Sequence, residues 1–144
     1  MKSIHRFLAL TSLMISLTVS TVVAQANRRV LIDIPFEFTV GTKTLPAGEY
    51  MIEPNRRDSD TVWILKSTKG NDVASLITIP KRANKTPNKA TLVFRRYDEM
   101  YFLSQIWTPG ENTGRELRMS DREKILQLAS VEFREEYVVV GGHE

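Results

Sequence analysis

Apolar side chains occupy every even position from Val30 to Val40, whereas the odd positions include Asp33 and Glu37. A period of two over this length is typical of a β-strand with one buried face, because a helix would turn its apolar face by about 100° per residue. Pro35 lies on the polar side of the run. Since proline has no amide hydrogen, it predicts an edge strand, a bulge or a break into two strands.

Further segments rich in β-branched, aromatic and aliphatic residues follow, separated by turn residues. These predicted strands are Glu49–Glu53, Thr61–Lys66, Val73–Ile79, Thr91–Tyr97, Met100–Trp107 and Tyr137–Val140. Thr61–Lys66 is apolar on both faces, which favours a central position in the sheet. Pro80 is predicted to end the strand Val73–Ile79. Short strands at this spacing predict an all-β, mainly antiparallel fold, either a β-sandwich or a partly open β-barrel of about six to eight strands.

Two local patterns refine this prediction. Thr91–Tyr97 and Met100–Trp107 are predicted to form a hairpin, but Asp98-Glu99 is not the Asn-Gly or Asp-Gly pair of a tight turn, so a wider or distorted turn is expected. Ser120-Asp121-Arg122-Glu123 matches a capping box, which predicts one short helix over residues 121–130. Ile125, Leu128 and Ala129 would form its apolar stripe, covering one edge or end of the sheet.

The first 26 residues have the order of a secretory signal peptide. Lys2 and Arg6 precede an uncharged apolar stretch, Phe7–Val23, and Ala24-Gln25-Ala26 supplies the small residues of a cleavage site. We expect cleavage after Ala26 or Ala24 and a secreted or periplasmic protein. The mature chain, residues 27–144, would then form a single domain without an integral membrane segment. An uncleaved membrane anchor is the alternative.

Charge and composition narrow the possible partners. Loss of Lys2 and Arg6 with the leader changes the formal net charge from +3 to +1. A nearly neutral domain has no global field that would attract nucleic acid, so we expect no nucleic-acid partner. Any electrostatic ligand must be met by a local patch.

Several reaction classes are disfavoured by the residues that the mature chain lacks. It has no cysteine, and its single histidine is the penultimate residue, His143. A Ser-His-Asp relay or a zinc centre needs imidazole or thiolate held by a packed scaffold, so we predict no metal, no cofactor, no catalytic residues and no enzymatic activity. The alternatives that remain for an enzyme are a Ser-Lys pair or a hydrolase using paired acids among Glu37, Glu49, Glu53, Glu111 and Glu116.

The segment from Lys81 to Lys89 is the strongest local candidate for a binding site. It carries Lys81, Arg82, Lys85 and Lys89 without any acidic residue. Such a segment favours an anionic ligand, for example an acidic glycan, although a solvated connection is the ordinary alternative. Tyr97 and Trp107 are the aromatic residues expected to be exposed, and flat rings of this kind suit the faces of sugar rings.

Three short sequence motifs occur together in this chain in a characteristic order and spacing. They are Ile34-Pro35-Phe36-Glu37-Phe38-Thr39-Val40-Gly41, Thr44-Leu45-Pro46-Ala47-Gly48-Glu49-Tyr50 and Tyr101-Phe102-Leu103-Ser104-Gln105-Ile106-Trp107. With Gly114-Arg115-Glu116-Leu117, they resemble a family of small exported β-domain proteins that is abundant in soil bacteria of the acidobacterial kind. The resemblance implies export and a β fold. It carries no activity and no site residue.

These observations lead to three functional hypotheses. The first is a non-enzymatic binding or interaction module for an anionic ligand such as an acidic glycan, contacted by Lys81, Arg82, Lys85, Lys89, Tyr97 and Trp107. The second is a structural or assembly protein that pairs with an envelope protein through an exposed strand edge. The third is a carboxylate-dependent glycan hydrolase.

Overall fold

The computed structural model describes residues 28–55 and 60–140, so the predicted signal peptide (1–26) and His143 lie outside the described residues. Within those ranges the chain forms ten strands and one helix, which confirms the all-β fold class. The strands are β1 (Val30–Ile34), β2 (Phe38–Val40), β3 (Lys43–Leu45), β4 (Gly48–Pro54), β5 (Val62–Ser67), β6 (Val73–Arg82), β7 (Thr91–Tyr97), β8 (Met100–Trp107), β9 (Thr113–Leu117) and β10 (Arg134–Val139). Helix α1 (Asp121–Leu128) precedes β10. No helix in these ranges is long and apolar enough to cross a bilayer.

The strands form one mostly antiparallel sheet that curls back on itself. One path of paired strands runs β1, β4, β5, β6, β9, β8, β7, β10. Its first and last strands lie side by side, yet no ladder of backbone hydrogen bonds joins them within the described residues. The sheet is therefore a partly open barrel with a seam between β1 and β10. The β2–β3 hairpin attaches to β8 through a parallel pairing of Thr39 with Phe102.

β6 is a long strand that joins two parts of the barrel. Residues 73–77 pair with β5, and residues 78–82 pair with β9. The predicted end of this strand before Pro80 is wrong. Beyond Ile77, β6 pairs with β9 alone. Because proline has no amide hydrogen to donate, it is tolerated in such a strand, which has no neighbouring strand on one side. Lys81 and Arg82 consequently lie at the end of a strand, not in a loop.

The remaining strands and turns were predicted correctly from the local sequence in some places and not in others. Pro35 breaks the first run, since β1 ends at Ile34 and β2 begins at Phe38. β3 and β9 were not predicted, because their short sequences lack alternating apolar residues and gain their hydrogen bonds only from neighbouring strands. The β7–β8 turn is tight, with Tyr97 opposite Met100, so the expected wider turn is wrong. Asp98 adopts φ 51°, a left-handed conformation that aspartate tolerates better than most residues.

The core lies inside the barrel and follows the alternation seen in the sequence. Val30, Ile32 and Ile34 are buried on β1, while the residues between them are exposed. Larger rings fill the centre: Phe38 contacts the ring of Tyr50 edge-to-face, with ring centroids 5.3 Å apart. β5 lies between β4 and β6, which confirms its predicted central position.

Helix α1 covers the outer face of β7 and β8, and the residue that it buries there is Glu123. The capping box is present, because the Ser120 hydroxyl accepts from the Glu123 amide and the Glu123 carboxylate accepts from the Ser120 amide. The predicted apolar stripe is wrong, since Ile125 and Leu128 are 65% and 86% exposed. Glu123 is buried instead and pairs with Arg95 of β7, the Nε and Oε1 atoms lying 2.7 Å apart. This ion pair fixes the rotation of the helix about its axis.

Candidate functional site

Three of the predicted cations lie around one surface groove. The groove has a volume of about 470 Å³ and is bordered by the end of β6, the following loop, the outer face of β7 and β8, and β10. We call it the basic groove and define it by Lys81, Arg82, Lys85, Trp107, Glu135 and Tyr137. Four of the six site residues expected from the sequence therefore line one cavity.

The indole of Trp107, which lines this groove, is held in place by two contacts. Its Nε1 donates to Oε1 of Gln105 at 3.0 Å. Its ring also lies directly over Gly114 of β9, so closely that a Cβ atom on Gly114 would be 2.3 Å from Cε3 of the indole. Trp107 stays half-buried, and its ring borders the cavity as a fixed surface.

The loop that carries Lys85 is anchored to a neighbouring loop. The amide of Ala83 donates to the Asn112 carbonyl at 2.8 Å, and the amide of Gly110 donates to the Pro87 carbonyl at 2.9 Å. At the far end of the loop, the Val140 amide donates to the Ala90 carbonyl. These three backbone bonds hold the loop beside the groove.

The charges around the groove are unequally compensated. Lys81 Nζ lies 2.7 Å from Oε1 of Glu116, so this cation is paired. Neither Arg82 nor Lys85 forms an ion pair with any described residue. Both therefore have charge available for an anion.

The β10 side of the groove carries a carboxylate and a phenol that are bonded to each other. The hydroxyl of Tyr137 donates to Oε2 of Glu135. This hydrogen bond, together with burial, raises the pKa of the Tyr137 hydroxyl. Tyr137 is thus a neutral aromatic surface near neutral pH, and it is 58% exposed.

No family model, curated protein or solved structure matches this chain. The resemblance to the exported acidobacterial family therefore stays a prediction.

Two of the residues expected from the sequence do not belong to the groove. The expected exposure of Tyr97 is wrong, because its ring is fully buried, with ring centroids 5.6 Å from both Phe102 and Phe133. Helix α1 and the segment that follows it cover this end of β7, and burial raises the pKa of the Tyr97 hydroxyl. Lys89 is exposed but does not line the cavity.

Tyr137 was missed as a site residue. The sequence placed it correctly on a last strand, but only the pairing of β10 with β7 brings it opposite Val93 and beside the groove. Alternation along β10 was the one available signal, since it predicts that Glu135, Tyr137 and Val139 share a face.

Three of the acids considered for a hydrolase are paired with cations. Glu53 pairs with Arg29 and Lys66. Burial is the largest single influence on the Glu53 pKa and raises it, but the hydrogen bonds and charges of these two cations together outweigh burial, so the pKa is lowered. Glu111 and Glu116 pair with Arg28 and Lys81. The described residues contain no cluster of three or more potential metal ligands of the His, Cys, Asp or Glu type.

Proposed function

We propose that this protein is a non-enzymatic binding module whose basic groove takes an acidic saccharide. The observation that carries the proposal is that two cations without an ion pair to any described residue, Arg82 and Lys85, lie with two aromatic side chains, Trp107 and Tyr137, around one cavity. Carboxylate or sulfate groups would bind the cations, and sugar rings would pack on the aromatic surfaces. Secretion or a periplasmic location, expected from residues 1–26, would place the groove among such polymers.

A carboxylate-dependent glycan hydrolase is the weaker alternative for this groove. Such enzymes need two carboxyl groups on opposite sides of the scissile bond. Among the described residues, Glu135 is the carboxylate that lines the groove, and the Tyr137 hydroxyl is bonded to it. The binding proposal needs no such pair.

Replacing Arg82 and Lys85 together by serine is expected to weaken binding of oligogalacturonate at least about tenfold, because each charged hydrogen bond contributes roughly 1.5–3 kcal/mol. Isothermal titration calorimetry of the purified protein would measure the change. Raising the ionic strength from about 0.01 to 0.15 M should weaken binding to the unaltered protein, since the Debye length falls from roughly 30 to 8 Å.

Lys89→Ser is the matched control, because Lys89 is a nearby cation that does not line the groove. It should change affinity by less than about twofold, as expected for a distant, screened charge. Maltohexaose, which is uncharged, should bind much more weakly than the acidic oligomer. Equal losses in the control and the double variant, or equal affinity for the two sugars, would reject the proposal.

A further inference from the structure

The basic groove presents hydrogen-bond donors along one side. Arg82 ends β6, and Lys85 follows in the loop whose backbone is bonded to the β8–β9 loop through Ala83 and Pro87. Guanidinium and ammonium groups donate hydrogen bonds and accept none. This side of the groove therefore suits the acceptor groups of a ligand, and anionic acceptors best.

The β10 side of the groove presents hydrogen-bond acceptors instead. The hydroxyl hydrogen of Tyr137 is already donated to Glu135, so these two side chains have only oxygen lone pairs left for a ligand. Glu135 is exposed and forms no ion pair with any described residue. Arg95, which lies opposite Glu135 in the β7–β10 register, is buried and paired with Glu123. The negative charge of Glu135 is therefore available at the surface of the groove.

The donor side and the acceptor side lie well apart on the outer surface of the barrel. β9, β8 and β7 lie between β6 and β10, which makes four inter-strand spacings, or about 19 Å along the sheet. Glu135 also lies opposite Arg95, whereas the loop that carries Lys85 joins β7 at its other end, at Thr91. Trp107 of β8 lies between the two sides. A ligand that fills the groove therefore meets cations with one part and acceptors with another.

A uniformly charged saccharide does not match this division. In oligogalacturonate every sugar carries a carboxylate, so a chain that reaches both sides of the groove places one near Glu135, and like charges repel even in water. A saccharide in which acidic and neutral sugars alternate can place its carboxylates at Arg82 and Lys85. Its neutral sugars then offer hydroxyl or amide hydrogens to Glu135.

We propose that Glu135 is a specificity-determining residue of the basic groove, and that it selects saccharides in which acidic sugars alternate with neutral ones over uniformly charged saccharides. This inference rests on the proposed saccharide-binding function and adds the charge pattern that the groove accepts. Arg82 and Lys85 bind the acidic sugars. The Glu135 carboxylate, held by the Tyr137 hydroxyl, accepts hydrogen bonds from a neutral sugar.

The test compares two hexasaccharides of different charge pattern. In a hyaluronan hexasaccharide glucuronate alternates with N-acetylglucosamine, whereas in hexagalacturonate every sugar is acidic. Calorimetric titration of the purified protein at an ionic strength of about 0.15 M would measure both affinities. We expect the hyaluronan fragment to bind about fivefold more tightly, although it carries half as many carboxylates.

Glu135→Gln is expected to change the two affinities in opposite directions. Loss of the like charge should raise the affinity for hexagalacturonate about fivefold. Loss of a charged acceptor should lower the affinity for the hyaluronan fragment about threefold, because hydrogen bonds to an ionised acceptor are stronger than those to a neutral amide. Glu136→Gln is the matched control, since this adjacent carboxylate on β10 does not line the basic groove. It should change either affinity by less than about twofold.

Equal affinities of the unaltered protein for the two hexasaccharides would overturn the inference. So would tighter binding of both by Glu135→Gln, because a general effect of charge on anions would produce that result. In either case the saccharide function stands if replacing Arg82 and Lys85 by serine weakens binding of both hexasaccharides. Absence of binding by both would reject the saccharide function itself and this inference with it.

Discussion

Glu123→Ala is expected to lower the free energy of unfolding by about 3–5 kcal/mol, because it leaves the Arg95 guanidinium buried without its partner. The side chains of Arg95 and Glu123 are only 8% and 2% exposed, so solvent cannot replace the lost contact. Nη2 of Arg95 already lacks a hydrogen-bond partner among the described residues. The variant also loses the capping box at Ser120, which adds to the cost. Urea denaturation followed by circular dichroism would measure the difference.

Two variants separate the buried charge from the cap and from ion pairing in general. Glu123→Gln can retain the capping box, so its loss of stability reports the unpaired cation. Glu99→Ala removes the partner of Arg96, the next residue on β7, where the carboxylate side chain is 89% exposed. That exposed pair should contribute less than about 1 kcal/mol. If Glu123→Gln and Glu99→Ala cost the same, the buried pair does not hold the helix.

A double replacement tests the same ion pair from the other side. Arg95→Met combined with Glu123→Leu removes both charges and fills the space with apolar atoms. It should recover much of the stability lost in Glu123→Ala, because a buried pair is often no better than well-packed apolar residues of similar size. A double variant less stable than Glu123→Ala would contradict this explanation.

Gly114→Ala is expected to displace the Trp107 indole and so to affect both stability and binding. The new Cβ would lie 2.3 Å from Cε3 and 2.6 Å from Cζ3 of the indole, which real atoms do not tolerate. Such overpacking typically costs about 1–3 kcal/mol. Since the ring would leave its position in the lining of the basic groove, affinity for oligogalacturonate should fall about tenfold. Denaturation followed by intrinsic tryptophan fluorescence would measure the loss of stability, and calorimetric titration would measure the loss of affinity.

A double-mutant cycle shows whether the clash with Trp107 is the cause. In a Trp107→Ala background, Gly114→Ala should cost little or slightly stabilise the protein, because alanine restricts the unfolded chain more than glycine does. Gly70→Ala serves as the control, since its added Cβ would lie 3.3 Å from the Ser67 hydroxyl and far less is displaced. An unchanged cost in the Trp107→Ala background would assign the effect to the backbone of β9.

The alternation of side chains was sufficient to predict most of the barrel. β1, β4, β5, β7 and β8 follow apolar periodicities that a buried face requires, and the break at Pro35 follows from its missing amide. β3 and β9 could not be predicted in this way. Their backbone groups are satisfied by strands distant in the sequence, and their side chains carry no pattern of their own.

The candidate site was predicted in part. Charge density identified Lys81, Arg82 and Lys85, and aromatic type identified Trp107, because these properties are local. Tyr97 does not belong to the site because α1 and the segment after it cover its ring. Tyr137 belongs to it because β10 pairs with β7. Tyr97 has a plausible surface chemistry, but its environment is formed by Phe102 and Phe133 from other parts of the chain.

The sequence by itself determined the all-β class, the positions of most strands and the capped helix, since these follow from periodicity, missing amides and capping within a few residues of the chain. Only the tertiary structure decided that the sheet leaves a seam between β1 and β10, that Glu123 and not Leu128 faces the barrel, and that Tyr137 of β10 borders the basic groove. The physical reason is the same in each case. Strand order, burial and charge pairing depend on contacts between segments far apart in the sequence, and no local pattern encodes which of them meet.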